Sequence, residues 1–131
     1  MENLWDQGQA DSFADNLLSL RVYSSRLIGR DSTLVLHGGG NTSVKGEYTD
    51  IFGVNHDVLY VKGSGWDLAT IEAGGFSPVK MKTLLALSEL ESLSDAEMVA
   101  AQRGAMMDPS APTPSVEAIL HALIPFRFVD H

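Results

Sequence analysis

Three clusters of small, polar and acidic residues have the types and spacing to do chemistry. The first is Gly38-Gly39-Gly40-Asn41-Thr42-Ser43, a triple glycine followed by an amide and two hydroxyls. Glycine permits positive φ, so such a loop can turn successive backbone N–H groups onto an anion. A plain tight turn between strands has the same composition. His37 just before it imitates the oxyanion loop of some esterases, but the chain has no G-x-S-x-G nucleophile elbow, and that reading is rejected. The second cluster, Lys62-Gly63-Ser64-Gly65, follows a strand pattern, where small residues let a ligand approach the backbone. An ordinary strand exit with a solvated Lys62 would look the same. Neither glycine cluster has the spacing of a P-loop or a dinucleotide site. The third, Thr113-Pro114-Ser115-Val116-Glu117, reads as a helix start, with Thr113 as N-cap and Pro114 at the first helical position. Free N–H groups there would let Ser115 help hold a phosphate. Glu117 in that first turn shares a helix face with His121, four residues on, as a surface pair or as part of a site. His37, His56, His121 and a terminal His131 do not form a metal motif by spacing alone.

The elements that must position these groups are legible in outline. Residues 11–30 place Phe13, Leu17, Leu20 and Leu27 at helical spacing, with Leu18, Val22 and Ile28 widening the stripe. Asp11 or Ser12 is the expected cap and Gly29 the stop. Ser32 to His37 and Thr42 to Gly46 read as extended chain around the glycine loop, and Asp57 to Lys62 as a stronger strand. Residues 46–56 read as a turn or hairpin connection. After Pro78, Met81, Leu84, Leu85, Leu87 and Leu90 mark a helix. Ser94 with Glu97 is a capping box for another, running to about Arg103. Pro109, Pro112 and Pro114 break the segment that follows. A helix from Thr113 to about Leu123 stops at Pro125, and Phe126 to His131 begins a strand. A strand opening six residues before the end predicts the front portion of a larger domain.

Composition limits the possible roles. The 131 residues are 44% hydrophobic and 20% charged, with a mean hydropathy of +0.02, which fits one globular domain at most. There is no Cys, which excludes disulfides and thiolate–zinc sites. The N-terminal segment lacks a signal-peptide pattern, and the reading is a cytoplasmic protein. Net charge is −8, so nucleic acid and anionic membrane are not expected partners. A phosphorylated ligand would have to be held by a local device.

Taken together, Gly40-Asn41-Thr42-Ser43, Val61-Lys62-Gly63-Ser64-Gly65, Pro114-Ser115-Val116-Glu117 followed by His121, and Phe128-Val129-Asp130-His131 resemble the class II aldolase/adducin family in order and spacing. The match runs from about residue 15 to the end. Residues 34–45 and 59–79 look closest to a bacterial subgroup in which the aldolase domain is fused to a short-chain dehydrogenase. Proteins of that subgroup are commonly assigned as rhamnulose-1-phosphate aldolase/alcohol dehydrogenases. The resemblance implies an α/β layered fold with a central, mainly antiparallel sheet flanked by helices, of which residues 1–131 would be the N-terminal part. It also implies a divalent metal, typically zinc held by three His, and cleavage of a ketose 1-phosphate to dihydroxyacetone phosphate and an aldehyde, usually by a tetramer. Carried over by position, Gly40, Asn41, Ser64, Gly65 and Ser115 would hold the substrate phosphate. Glu117 would be the general acid/base, and His131 the first metal ligand. The family's other two His are absent from this sequence, so the 131 residues alone are expected to be inactive. Val116 stands where many fuculose-phosphate-type aldolases have a second Ser, so one family phosphate contact lacks its hydroxyl here. The alternatives are a sugar-phosphate 4-epimerase or dehydratase of the same fold, or a non-catalytic adducin-like interaction module.

Overall fold

Four runs with β-branched and aromatic residues pair into one antiparallel sheet. They are β1 (Thr42–Thr49), β2 (Asn55–Lys62), β3 (Phe76–Lys80) and β4 (Phe128–Asp130), in the order β3-β2-β1-β4. The computed structural model describes residues 3–11, 16–35, 39–90, 92–115 and 117–131. β1 and β2 form a hairpin from Ser43↔Val61 to Thr49↔Asn55, so the expected connection over 46–56 is mostly strand, and only its middle turns. Asp50 makes that turn by accepting from the N–H groups of Phe52 and Val54 through Oδ1. Gly53 supplies the positive φ of 78°.

Side chains alternate across a strand, so each face of the sheet has its own core. On one face Leu59, Val61 and Val79 pack with Leu84 of α3 (Met81–Ser88) and with Ala118 and Ala122 of α5 (Ala118–Leu123). On the other, Val22 of α2 (Leu17–Gly29) packs with Ile71, Phe76 and the half-buried Tyr60 and Trp66. A short α1 (Gln7–Asp11) precedes α2, and α4 (Asp95–Gly104) follows α3. The result is a three-layer α/β arrangement, in agreement with the expected fold class.

Several expectations change at the element ends. Asn16 caps α2, its side chain accepting from the Ser19 N–H at 3.1 Å, in place of Asp11 or Ser12. Ser12 and Phe13 lie outside the described residues. Gly29 does end α2, but for lack of room, since a Cβ there would meet the backbone N of Ala69 at 2.2 Å. Ser32 to Leu34 form a turn instead of a strand, because Asp31 Oδ1 accepts from both the N–H and the hydroxyl of Thr33. Leu36, His37 and Gly38 lie outside the described residues.

β3 was not anticipated, because Pro78 sits in it; as an edge strand β3 tolerates the missing N–H. Ser94 caps α4 as expected, its Oγ accepting from the Glu97 N–H at 3.1 Å. The Glu97 carboxylate, however, accepts from the Ser94 hydroxyl at 3.0 Å and not from the Ser94 N–H of a full capping box. The last helix starts at Ala118, not at Thr113. Pro114 instead bridges to Gly63, and the Ser64 N–H donates to the Thr113 carbonyl at 3.0 Å. That bridge draws the 113–115 strip onto the end of β2 and delays the helix. At the other end of α5, Lys45 Nζ donates to the carbonyls of His121 (3.0 Å), Ile124 (2.7 Å) and Phe126. A cation on the last carbonyls of a helix is favourable, and here it ties α5 to β1.

Candidate active site

Asn41 and Ser43 are two residues apart at the start of β1, so both face the α5 side of the sheet. On the neighbouring strand Val129 pairs with Ser43, and His131 continues the pairing by exchanging backbone hydrogen bonds with Asn41 at 2.6 and 2.7 Å. β2 ends in Lys62, Gly63 and Ser64, and the bridge from Gly63 to Pro114 brings Ser115 and Glu117 alongside. These segments enclose an open cavity of about 470 Å³ lined by Gly39, Gly40, Asn41, Lys62, Gly63, Ser64, Ser115, Glu117 and His131.

Within it the polar groups are connected. Asn41 Nδ2 donates to Ser115 Oγ at 3.0 Å and to Glu117 Oε2 at 3.1 Å. His131 Nδ1 lies 3.0 Å from the same carboxylate oxygen. The bonds from His131 and then Asn41 hold the Glu117 carboxyl below the ordinary carboxylate range, so it is ionised at neutral pH. Asn41 Oδ1 is buried with no hydrogen-bond partner among the described residues. Gly40 has a φ of 80°, the left-handed geometry a nest requires.

His121 is fully buried behind this group, its Nδ1 2.7 Å from Ser43 Oγ. Burial first, then the neighbouring His131, lowers its pKa and keeps the imidazole neutral at pH 7. Its Nε2 has no hydrogen-bond partner among the described residues. Glu117, His121 and His131 each bring a ligand atom, all within 4.8 Å of one another. One carboxylate and two imidazoles, one of them neutral and unpartnered, are a donor set that suits zinc and neighbouring divalent ions. The residues present therefore fit a divalent metal.

Of the residues picked out from sequence, the structure brings Gly40, Asn41, Ser64, Ser115, Glu117 and His131 to one cavity. Gly65 follows Ser64 with a φ of 89° but does not line it. Ser115 and Glu117 precede α5 in the turn that leads into it: the Glu117 N–H donates to Ser115 Oγ at 3.2 Å and the Ala118 N–H to the Ser115 carbonyl at 3.1 Å. Val116 and Gly38 lie outside the described residues. Two residues carry more than the sequence suggested. Lys62, 8% exposed, lines the cavity instead of standing in solvent, and burial pushes its pKa down while Asp67 and Glu117 oppose that. His121 joins the metal-competent cluster. Its spacing from Glu117 was visible in the sequence, but nothing local showed that β4 would bring His131 to the same place. His56, by contrast, pairs with Asp50 at 2.8 Å in the β1–β2 turn.

The N-terminal class II aldolase domain of a conserved protein from Thermoplasma acidophilum matches this chain with a TM-score of 0.90 and 44% identity. The fold is that of a class II aldolase domain. The likeness covers 100% of this chain and 59% of the solved one. No protein-family model matches. Among curated proteins, the uncharacterized oxidoreductase YuxG of Bacillus subtilis (strain 168) is 40% identical over 131 residues, 100% of this chain and 19% of its own length. The chain thus spans about a fifth of that relative's length.

Proposed function

We propose that this class II aldolase domain serves a zinc-dependent aldolase that cleaves a ketose 1-phosphate, of the rhamnulose 1-phosphate kind, to dihydroxyacetone phosphate and an aldehyde. The observation that carries the reading is the meeting of neutral phosphate donors, a held carboxylate and a His pair around one cavity. The backbone at Gly40 and the side chains of Asn41, Ser64 and Ser115 would take the phosphate oxygens. Lys62 adds the local cation that an acidic chain needs beside a phosphate. Gly65 would act only through the backbone turn that presents Ser64.

His121 and His131 are the groups that would hold the metal, with Glu117 beside them and left free for the proton. When bound, zinc there would polarise the carbonyl and hydroxyl oxygens of the ketose. Glu117 manages the proton. Ionised and fixed by Asn41 and His131, it would take the proton from the carbon next to the dihydroxyacetone phosphate carbonyl in the synthetic direction, and return it after carbon–carbon cleavage. An oxidoreductase role like that in the Bacillus relative's name finds no dinucleotide spacing in either glycine cluster of this chain. We also assign the protein to the cytoplasm and to a homo-oligomer. Among the described residues no helix is long and apolar enough to cross a membrane.

Product analysis tests the reaction. Incubating the protein as its gene encodes it with a ketose 1-phosphate should release dihydroxyacetone phosphate, trapped by glycerol-phosphate dehydrogenase. Recovery of an epimeric or dehydrated sugar phosphate without triose would overturn the aldolase assignment.

A further inference from the structure

Outside the cavity, on the α2 side of the sheet, a guanidinium is buried where no phosphate or metal role requires one. Arg21 of α2 is 2% exposed. Its Nη1 reaches Asp130 Oδ1 at 2.7 Å and the Ser43 carbonyl at 3.4 Å, and its guanidinium carbon lies 5.5 Å from the centre of the Phe128 ring. Phe128 and Asp130 are two residues apart on β4, so the arginine grips the whole α2-facing side of this three-residue strand. β4 is a short edge strand, with three register pairs to β1 continued by the Lys45 N–H to the Arg127 carbonyl and by the His131–Asn41 pair. The residue that follows is His131, and its side chain projects from the opposite face toward Glu117.

We propose that Arg21 is a positioning residue for the candidate metal site: by clamping Asp130 and Phe128 against Ser43 it sets the place of His131 beside Glu117 and His121. The two faces of β4 are coupled because a strand that shifts by one residue exchanges its faces, which would carry His131 out of the cavity. Ser43 is held on both sides, its carbonyl by Arg21 and its hydroxyl by His121. The clamp therefore references His131 and His121 to the same residue. A buried charge costs desolvation that an apolar side chain of equal length would avoid, and fixing a ligand-bearing strand gives a reason to keep it. The metal part of the inference rests on the proposed function; the placement of His131 does not.

The test uses ring-labelled histidine in the metal-free protein, with Arg21→Met, which keeps an unbranched apolar side chain but removes the guanidinium from Phe128 and Asp130, and Asp130→Asn at an exposed carboxylate. In the parent protein His131 Nδ1 should show the bond to Glu117, and His121 Nδ1 the bond to Ser43. Both variants should lose the first signal and retain the second, and Arg21→Lys should restore it in part. Cobalt(II) titration of the same proteins should then show binding weakened about 10- to 100-fold. His131 signals unchanged in both variants would overturn the proposal. So would parallel loss of the His121 and His131 signals, which marks general unpacking instead of positioning. If the parent binds no cobalt, the metal reading falls while the His131 signals still decide the clamp.

Discussion

For the proposed proton transfer Glu117 has to be ionised and fixed in place, and the same two contacts bear on both. Asn41 and His131 bond one carboxylate oxygen and hold the acid below its ordinary range. Glu117→Gln keeps the shape and the Asn41 geometry but removes the base, so turnover should fall about 10²- to 10⁴-fold with dihydroxyacetone phosphate affinity little changed. Steady-state rates and competitive inhibition by that triose measure the two separately. Lys62→Met should do the reverse, weakening triose phosphate binding about tenfold or more, since a hydrogen bond from a charged group is worth about 1.5–3 kcal/mol. The sequence exposed most of these residues, because Asn41, Ser64, Ser115, Glu117 and His131 sit in four motifs whose order and spacing together resemble the class II aldolase/adducin family, though each motif alone also fits a plain turn, strand exit or helix start. It under-read Lys62 and His121. A lysine at a strand end looks solvated, and nothing local shows that Lys62 is buried at the cavity that forms where β2 meets residues brought in from far along the chain.

At the scale of elements, close approach matters as much as propensity. The last residue of α2 touches the backbone at 68–69, so Gly29→Ala should cost about 1–3 kcal/mol by forcing α2 and that segment apart. Gly74→Ala, which meets nothing within 4 Å, is the matched control and should stay within about 0.5 kcal/mol. Thermal unfolding of both variants measures the difference. The β1–β2 turn makes a pH prediction. His56 first, then the Val54 and Phe52 N–H groups, hold the Asp50 carboxyl below its ordinary value. A carboxylate lowered in the folded state stabilises it at pH above the unfolded carboxylate range, and that contribution is lost as pH falls through the lowered value. His56→Leu should raise the Asp50 midpoint toward the ordinary Asp value without reaching it, because the two N–H donors remain; carboxyl NMR titration reads this directly. The helical periods of α2 and α3 were legible from their apolar spacing, and α4 from the Ser94 cap at its start. β3 was hidden by Pro78, and the start of α5 was misplaced because Thr113-Pro114 has the grammar of a helix start but is captured by β2. Both errors are tertiary contacts overriding local signals.

Across the whole molecule, the sheet separates two tasks. Its α5 face carries the amide, hydroxyl, carboxylate and imidazole groups of the cavity, and its α2 face carries the Arg21 clamp and a second apolar core. In the proposed function, that division would let an acidic chain of net charge −8 hold a phosphate with neutral donors and one lysine, without a basic surface. The layered α/β fold was readable through the family resemblance, while the residue patterns gave only some of its strands and helices. The shape of the site was not, because it depends on register: His131 opposite Asn41, and Gly63 opposite Pro114. The most direct test of the account is cleavage of a ketose 1-phosphate by the protein as its gene encodes it, before and after stripping with a chelator and on adding back zinc. The account predicts release of dihydroxyacetone phosphate that stops on stripping, returns with zinc and is lost in Glu117→Gln. Triose release that persists after stripping, or that Glu117→Gln leaves intact, would contradict it.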